Sequence, residues 1–129
     1  MPAWITKELV ASLPAKTGLI ADVTAAIRTA GVNLEAISAY ESDGLGRFLI
    51  VTDNNTKAAI ALELMGAKPY EKQIVLAEIE NRPGALEEVT RMLADNGINL
   101  EYVYGASGIV GNARFVLATT DDAKACGLL

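Results

Sequence analysis

Two segments of the chain repeat apolar residues every three or four positions, with polar residues between them. These segments are Leu19–Ala30 and Ala85–Asn96. Because an α-helix turns once in about 3.6 residues, this spacing gathers the apolar side chains on one face and predicts two amphipathic helices. Gly31 and Gly97 follow directly, at the position where glycine commonly ends a helix in the left-handed conformation. The pattern therefore predicts where each helix ends as well as the face that it buries.

Strand-like segments surround each predicted helix in the same order. One strand precedes the helix, and two strands joined by a turn rich in Gly, Ser or Asp follow it. A second helix is predicted at 54–66, with a short strand near 68–72 after it. The resulting order, β-α-β-β-α-β, is that of the ferredoxin-like split βαβ motif. The other predicted strands are 5–13, 32–41 and 47–52 in the first half and 74–80, 98–106 and 113–119 in the second.

The two halves are also related residue by residue. A shift of 66 positions places seven residues of 18–38 on identical residues of 84–104. We therefore predict an α+β chain of two ferredoxin-like units, 1–70 and 71–129, packed side by side. Such packing would form one antiparallel sheet with the helices on one face, and it would cover exposed edge strands. The identical pairs are Gly18/Gly84, Val23/Val89, Thr24/Thr90, Gly31/Gly97, Asn33/Asn99, Leu34/Leu100 and Glu35/Glu101.

The second half is shorter than the first, because only seven residues follow Asp122. Its second helix is therefore expected to be truncated, and its last strand is missing. Either the chain continues in the natural protein, or another segment supplies that strand.

The composition removes several classes of chemistry. The 129 residues include no histidine and one cysteine, Cys126. Ser-His-Asp hydrolysis, His-ligated zinc and Cys-rich metal sites are therefore excluded, and no metal or cofactor is expected. The net charge of −5 makes nucleic acids and anionic membranes poor partners. The sequence has no run of 18 apolar residues, so no transmembrane helix is predicted and we expect a cytoplasmic protein. Without histidine, the remaining general bases are carboxylates, lysines and tyrosines, and since the pattern places none of them in a buried constellation, we expect that the protein is not an enzyme.

The second half carries the sequence Asn81-Arg82-Pro83-Gly84-Ala85-Leu86 before its first helix and Gly97-Ile98-Asn99 after it. This pattern resembles the ACT family, small regulatory domains associated with amino-acid metabolism. Within that family it is similar to the serine-sensing domains of phosphoglycerate dehydrogenase. The resemblance covers both halves, and the layout is similar to that of free-standing tandem ACT proteins. It implies the β-α-β-β-α-β fold and the binding of an amino acid rather than catalysis.

The loop before this helix has chemistry that suits an amino acid. The first amides of a helix lack internal partners and carry partial positive charge, which favours a carboxylate. Gly84 allows a ligand to approach the backbone closely, and the Asn81 amide can donate to a carboxylate and accept from an ammonium. We predict that the ligand carboxylate meets the amides of Gly84 and Ala85. The resemblance implies that an asparagine of a neighbouring domain completes the clamp.

Structural roles stay open for several of these residues. Asn81 could cap a helix that begins at Pro83. Asn33 and Asn99 could simply tolerate unusual backbone angles after the glycines that end the helices. The candidate ligand-binding residues are Asn81, Arg82, Pro83, Gly84, Ala85, Leu86 and Asn99 in the second half, and Lys16, Thr17, Gly18, Leu19 and Asn33 in the first.

The loop of the first half differs from that of the second. Ala15 stands in place of Asn81, and Thr17 stands in place of Pro83. This loop could bind another ligand through Lys16, bind weakly, or have lost its site.

These features lead us to expect a homodimeric regulatory protein that binds a free amino acid reversibly at an interface between ACT units. Binding would shift the population of interface geometries, and a partner enzyme of amino-acid metabolism would respond. The alternative is a non-sensing adaptor or regulatory subunit of a biosynthetic enzyme such as acetolactate synthase. Stabilisation by a ligand would distinguish the sensor from the adaptor.

Overall fold

A computed structural model of the chain describes residues 2–108 and 111–129. Its elements confirm the α+β class, with the order βαββαβ in the first half and βαββα in the second. None of the helices in these residues is long and apolar enough to cross a membrane. In chain order the elements are β1 (Ala3–Pro14), α1 (Leu19–Thr29), β2 (Leu34–Ser42), β3 (Leu45–Thr52), α2 (Asn55–Leu64), β4 (Tyr70–Ile79), α3 (Ala85–Asp95), β5 (Leu100–Ser107), β6 (Ala113–Thr119) and α4 (Asp122–Leu128).

The chain forms two compact units. The first unit is Lys7–Lys72, which holds most of β1, all of α1, β2, β3 and α2, and the first three residues of β4. The second unit combines Gln73–Leu129 with the residues up to Thr6. Strand β1 therefore starts in the second unit and ends in the first.

In the first unit, β3 is the middle strand and pairs antiparallel with β1 and β2. Phe48 in β3 stands opposite Ala11 on one side and Ala39 on the other, so small neighbours leave room for its ring. The side-chain amide of Asn55, at the start of α2, donates to the Lys7 carbonyl at 3.1 Å and to the Glu71 carboxylate at 3.3 Å. The core contains Leu9, Ala11, Leu13, Leu19, Val23, Ile27, Val32, Phe48, Ile50, Ala58, Leu62 and Ala67.

In the second unit, β6 is the middle strand and pairs antiparallel with β4 and β5. Phe115 in β6 stands opposite Ala77 and Gly105, which repeats the arrangement around Phe48. The start of β1 lies on the other side of β4, where the Glu78 N–H donates to the Pro2 carbonyl at 2.9 Å. The core contains Val75, Ala77, Ile79, Ala85, Val89, Leu93, Ile98, Leu117 and Ala125.

Both units end their first helix in the same way. Gly31 and Gly97 have φ of +74°, so each occupies the left-handed region and the predicted helix ends are confirmed. The N–H groups of Val32 and Ile98 then donate back into the last turn of the helix before them. Helices α1 and α3 stop one residue before the predicted ends. The same backbone bond therefore follows each glycine before the next strand begins.

Strand β4 corrects one detail of the sequence prediction. The separate strands predicted at 68–72 and 74–80 form one strand, Tyr70–Ile79. The segment contains no glycine or proline to interrupt the strand, so the backbone continues without a turn.

Candidate functional site

The loop before α3 is a β-turn formed by Arg82–Ala85. The Ala85 N–H donates to the Arg82 carbonyl at 3.2 Å. Gly84 has φ +84° and ψ −9°, the values of the third position of a type II turn, where glycine avoids a steric cost. Pro83 precedes it at the position where proline fixes φ near the value that this turn requires. The first unit has the same turn over Lys16–Leu19, with a bond of 3.2 Å and the same φ at its glycine.

Gly84 is also the residue that caps α3, and no side chain caps this helix. The alternative in which Asn81 caps a helix starting at Pro83 is therefore wrong, because α3 begins at Ala85. The amide of Ala85 is already used by the turn. The helix thus presents the remaining amides of its first turn, and their partial positive charge, without a side chain over them.

A cavity of about 130 Å³ lies beside this turn. Three apolar residues of its wall, Ile79, Ala113 and Phe115, belong to strands. Asn81, Glu80 and Ser107 add polar groups. The lining residues are Ile79, Glu80, Asn81, Arg82, Ala85, Leu86, Ser107, Ala113 and Phe115. The structure therefore brings together four of the candidate residues of this loop around one small cavity.

The first unit has a cavity of about 180 Å³ in the corresponding place. Seven of its lining residues occupy the positions that line the second cavity, once the repeat is aligned. The polar groups differ at two of these positions, where Glu41 stands in place of Ser107 and Ala15 in place of Asn81. The lining residues are Ala15, Lys16, Gly18, Leu19, Ile20, Ala21, Tyr40, Glu41, Gly46 and Phe48.

The two cavities also differ in the side-chain sizes at two matching positions of their linings. In the first unit Leu19 packs directly over Gly46, so a methyl group at residue 46 would meet the Leu19 side chain. In the second unit alanines, Ala85 and Ala113, stand at both matching positions. The first unit therefore pairs a leucine with a glycine, whereas the second unit has an alanine at each of the two matching positions.

The cation of each turn is held by carboxylates. The Arg82 guanidinium bonds both oxygens of Glu88, at 3.1 and 2.7 Å, and Glu80 at 2.6 Å. In the first unit Lys16 forms an ion pair of 3.0 Å with Asp22, the residue that matches Glu88. The hydrogen bonds that Arg82 donates to Glu88 and Glu80 raise the pKa of Arg82, and those donated to Glu88 lower the pKa of that carboxyl. Arg82 therefore links the Arg82–Ala85 loop to the start of α3 through its bonds to Glu88.

The pairing of Arg82 with Glu88 predicts a titration that can be measured directly. A carboxylate that accepts charged hydrogen bonds stays ionised to lower pH, so Glu88 should titrate below its ordinary pKa of 4.5. The contribution of the pair is present above that value and is lost as the pH falls through the lowered pKa. A carbon-detected NMR titration of the Glu88 carboxyl should show this, and Arg82→Gln should return the pKa toward 4.5. An ordinary Glu88 pKa in the unmodified protein would contradict the pairing.

Asn33 and Asn99 lie away from the turn of their own unit. Each follows the first helix whereas the turn precedes it, and 11 helical residues span roughly 16 Å. Their backbone groups bond the segment after the third strand, with the Asn33 N–H on the Asp53 carboxylate at 2.9 Å and the Asn99 N–H on the Thr120 hydroxyl at 3.0 Å. Within one unit the structure therefore does not bring either asparagine to the cavity beside the turn.

Several residues of the site were not among the candidates. Asp22 and Glu88 carry the ion pairs, while Phe48 and Phe115 line the two cavities. The signal that could have found them is the repeat itself, since an acid recurs at the shift of 66 positions and a phenylalanine at 67. In the described ranges no cluster of acidic residues and cysteine is arranged to hold a metal ion.

Comparison with protein families gives one match that falls on this site. Residues 73–125 match the family model described as the ACT domain. The matched segment contains the turn, the Arg82–Glu88 pair and the cavity of the second unit. No curated protein sequence matches the chain.

Solved structures share the fold over nearly the whole chain. Protein BT0572 from Bacteroides thetaiotaomicron superposes with a TM-score of 0.89 at 26% identity, over 98% of this chain and 88% of that one. The ligand-free regulatory subunit of aspartate kinase from Thermus thermophilus gives 0.71 at 15% identity, over 99% and 95%. The corresponding subunit from Thermus flavus gives 0.66 at 16% identity, over 99% and 92%. These two kinase subunits therefore share the fold of this chain.

Proposed function

We propose that the protein is a regulatory protein that binds a free amino acid beside the Arg82–Ala85 turn. The observation that carries this proposal is the cavity next to a helix N-terminus that no side chain caps, within the segment that matches the ACT domain. A carboxylate would meet the exposed amides at Gly84 and Leu86, because the Ala85 amide is used by the turn. The ammonium would bond the side-chain oxygen of Asn81.

The apolar wall selects the class of amino acid. Ile79, Ala113 and Phe115 face the cavity and offer no hydrogen-bonding side chain, whereas Ser107 offers one hydroxyl. A small or medium apolar side chain fits this wall, and the Ser107 hydroxyl also allows a serine-like ligand, as the serine-sensing resemblance implies. Arg82 takes no part in this contact, because two carboxylates already hold its guanidinium.

The first cavity is a second candidate site with other chemistry. It lacks the asparagine, and Glu41 and the Lys16–Asp22 pair surround it instead. Asn33 and Asn99 are candidates for a contact that a second chain makes with a bound ligand.

The regulatory part of the proposal has a partner enzyme of amino-acid metabolism as its target. Two of the similar structures are regulatory subunits of aspartate kinase, and this chain spans 95% and 92% of their lengths. An adaptor that binds such an enzyme without sensing a ligand is the second candidate, and the same likeness of fold supports it.

A thermal-shift scan against the twenty amino acids at millimolar concentration tests the sensor. A ligand present at about 100 times its dissociation constant stabilises the folded state by about 2.7 kcal/mol, which raises the melting temperature by several degrees. A shift confined to one or a few related amino acids is expected. An unchanged melting temperature with all twenty would reject the sensor in favour of the adaptor.

Asn81→Ala tests the site itself by calorimetry with whichever amino acid binds. Loss of one net polar contact should cost about 1–2 kcal/mol, which raises the dissociation constant about 5- to 30-fold. Thr90→Ala is the control, because Thr90 lies on α3 and outside the cavity. Equal affinity of Asn81→Ala and the unmodified protein would move the ligand away from this turn.

A further inference from the structure

Helix α2 carries apolar side chains on two faces. Ala58 and Leu62 are fully buried against the first unit's core. On the opposite side, Ile60 is 53% exposed and Leu64 is 86% exposed. Apolar side chains on both faces are typical of a helix that packs on both sides. Ile60 and Leu64 form an exposed apolar strip on the outward face of α2, between the charged residues Lys57 and Glu63.

The exposed apolar side chains border a groove between α1 and α2. The groove encloses about 420 Å³. Alanines form much of its lining, while Ile60, Leu64 and Met65 supply the large side chains. The lining residues are Ala26, Thr29, Ala30, Lys57, Ile60, Ala61, Leu64 and Met65, and they define the α1–α2 face.

We propose that the α1–α2 face docks on the same face of a second copy of this chain. Four of its residues, Lys57, Ile60, Ala61 and Leu64, follow the i, i+3, i+4, i+7 spacing of a helix–helix seam. In an antiparallel two-fold pair of α2 helices, residue 60 meets residue 61 and residue 57 meets residue 64 of the other copy. Ile60 then packs over the partner's Ala61, a large side chain against a small one.

Charge supports the same two-fold arrangement. Glu63 lies in the last turn of α2, where the helix dipole disfavours a carboxylate, and that turn has no basic residue. Lys57 lies in the first turn. An antiparallel pair places each Lys57 at the C-terminal end of the other helix, next to the partner's Glu63. The methylene stem of Lys57 covers the partner's Leu64 at the same time.

The size of the face places the dimer in the weak class. Two adjacent helices of 10 and 11 residues present a face of roughly 15 by 20 Å, or about 300 Å², which is well under the roughly 800 Å² per partner of a standard stable interface. We expect association in the micromolar range, with the monomer as the main species in dilute solution.

Sedimentation velocity on the full chain, from about 1 to 500 µM, measures this association. The unmodified protein should shift from monomer to dimer mass with concentration. Leu64→Arg should raise the dimer dissociation constant about tenfold or more, because it replaces an apolar contact by a charge. Ala94→Arg, on the exposed side of α3, is the matched control and should behave as the unmodified protein. A constant monomer mass at every concentration, or a dimer that survives Leu64→Arg, would overturn the proposal.

A charge exchange tests the antiparallel register. Lys57→Glu faces the partner's Glu63, and Glu63→Lys faces the partner's Lys57, so each single variant should weaken the dimer. The double variant restores opposite charges and should recover most of the association. Absence of recovery would reject the two-fold register even where the unmodified protein dimerises. These outcomes do not depend on ligand binding at the turn.

Discussion

Phe48→Ala is expected to lower the free energy of unfolding by about 3–5 kcal/mol, the largest effect of any substitution considered for this protein. Phe48 is 1% exposed and lies between Ala11 and Ala39 on the middle strand of the first unit. Because both neighbours are alanines, no larger side chain can move in to fill the space of the ring. Urea unfolding followed by circular dichroism would show a lower midpoint with an unchanged slope.

Phe115→Ala is the matched control for this prediction. Phe115 holds the same position in the second unit, yet it is only partly buried and borders the cavity beside the turn. Its truncation removes fewer packing contacts, so we expect a smaller loss of stability than at Phe48. An equal loss at the two positions, or a loss below about 1 kcal/mol at Phe48, would contradict the account of the first core.

Gly105→Ala is expected to destabilise the protein by about 3 kcal/mol, which lowers the melting temperature by about 10 °C. Gly105 lies in β5 opposite Phe115. A methyl group there would overlap the backbone carbonyl of Arg114 and the Phe115 ring. Since a carbonyl in a paired strand cannot rotate away, the two strands would have to separate locally. Thermal unfolding in the absence of ligand measures the effect.

Gly46→Ala is the comparison variant, because its added methyl group would overlap a side chain and not the backbone. Its added methyl would meet the end of the Leu19 side chain, which can change rotamer. We therefore expect a smaller loss of stability than at Gly105, together with a change in the cavity of the first unit. The position that matches Gly105 is Ala39, so this fold accepts a methyl group there when the strand path allows it. A Gly105→Ala variant as stable as the unmodified protein would show that β5 has the same freedom.

Much of the architecture follows from local patterns in the sequence. The helix ends at Gly31 and Gly97 were predicted because a left-handed residue there needs no knowledge of distant partners. The division of β1 was not predicted. A strand pattern shows that a segment is extended but does not name the strand beside it, so residues up to Thr6 could not be assigned to the second unit.

The candidate site was likewise predicted only in part. The loop before α3 was predicted from its proline and glycine, whose backbone preferences act over two residues, whereas its form as a β-turn over Arg82–Ala85 came from the structure. The bonds from Arg82 to Glu80 and Glu88 were missed, because they depend on the rotamers of long side chains two and six residues away. The cavity wall was also missed, since Ala113 and Phe115 reach it from another strand.

The exchange of Leu19 and Gly46 for Ala85 and Ala113 limits how one half of this chain can be rebuilt from the other. A loop graft that carries the leucine into the second unit would place its longer side chain where Ala113 presents a methyl group instead of open space. The graft must therefore include the strand residue as well as the loop, although nearly thirty residues separate them in sequence. Chimeras between the halves should therefore be designed by spatial pairs, and a graft of the contiguous segment alone should lose the shape of the pocket that it was meant to transfer.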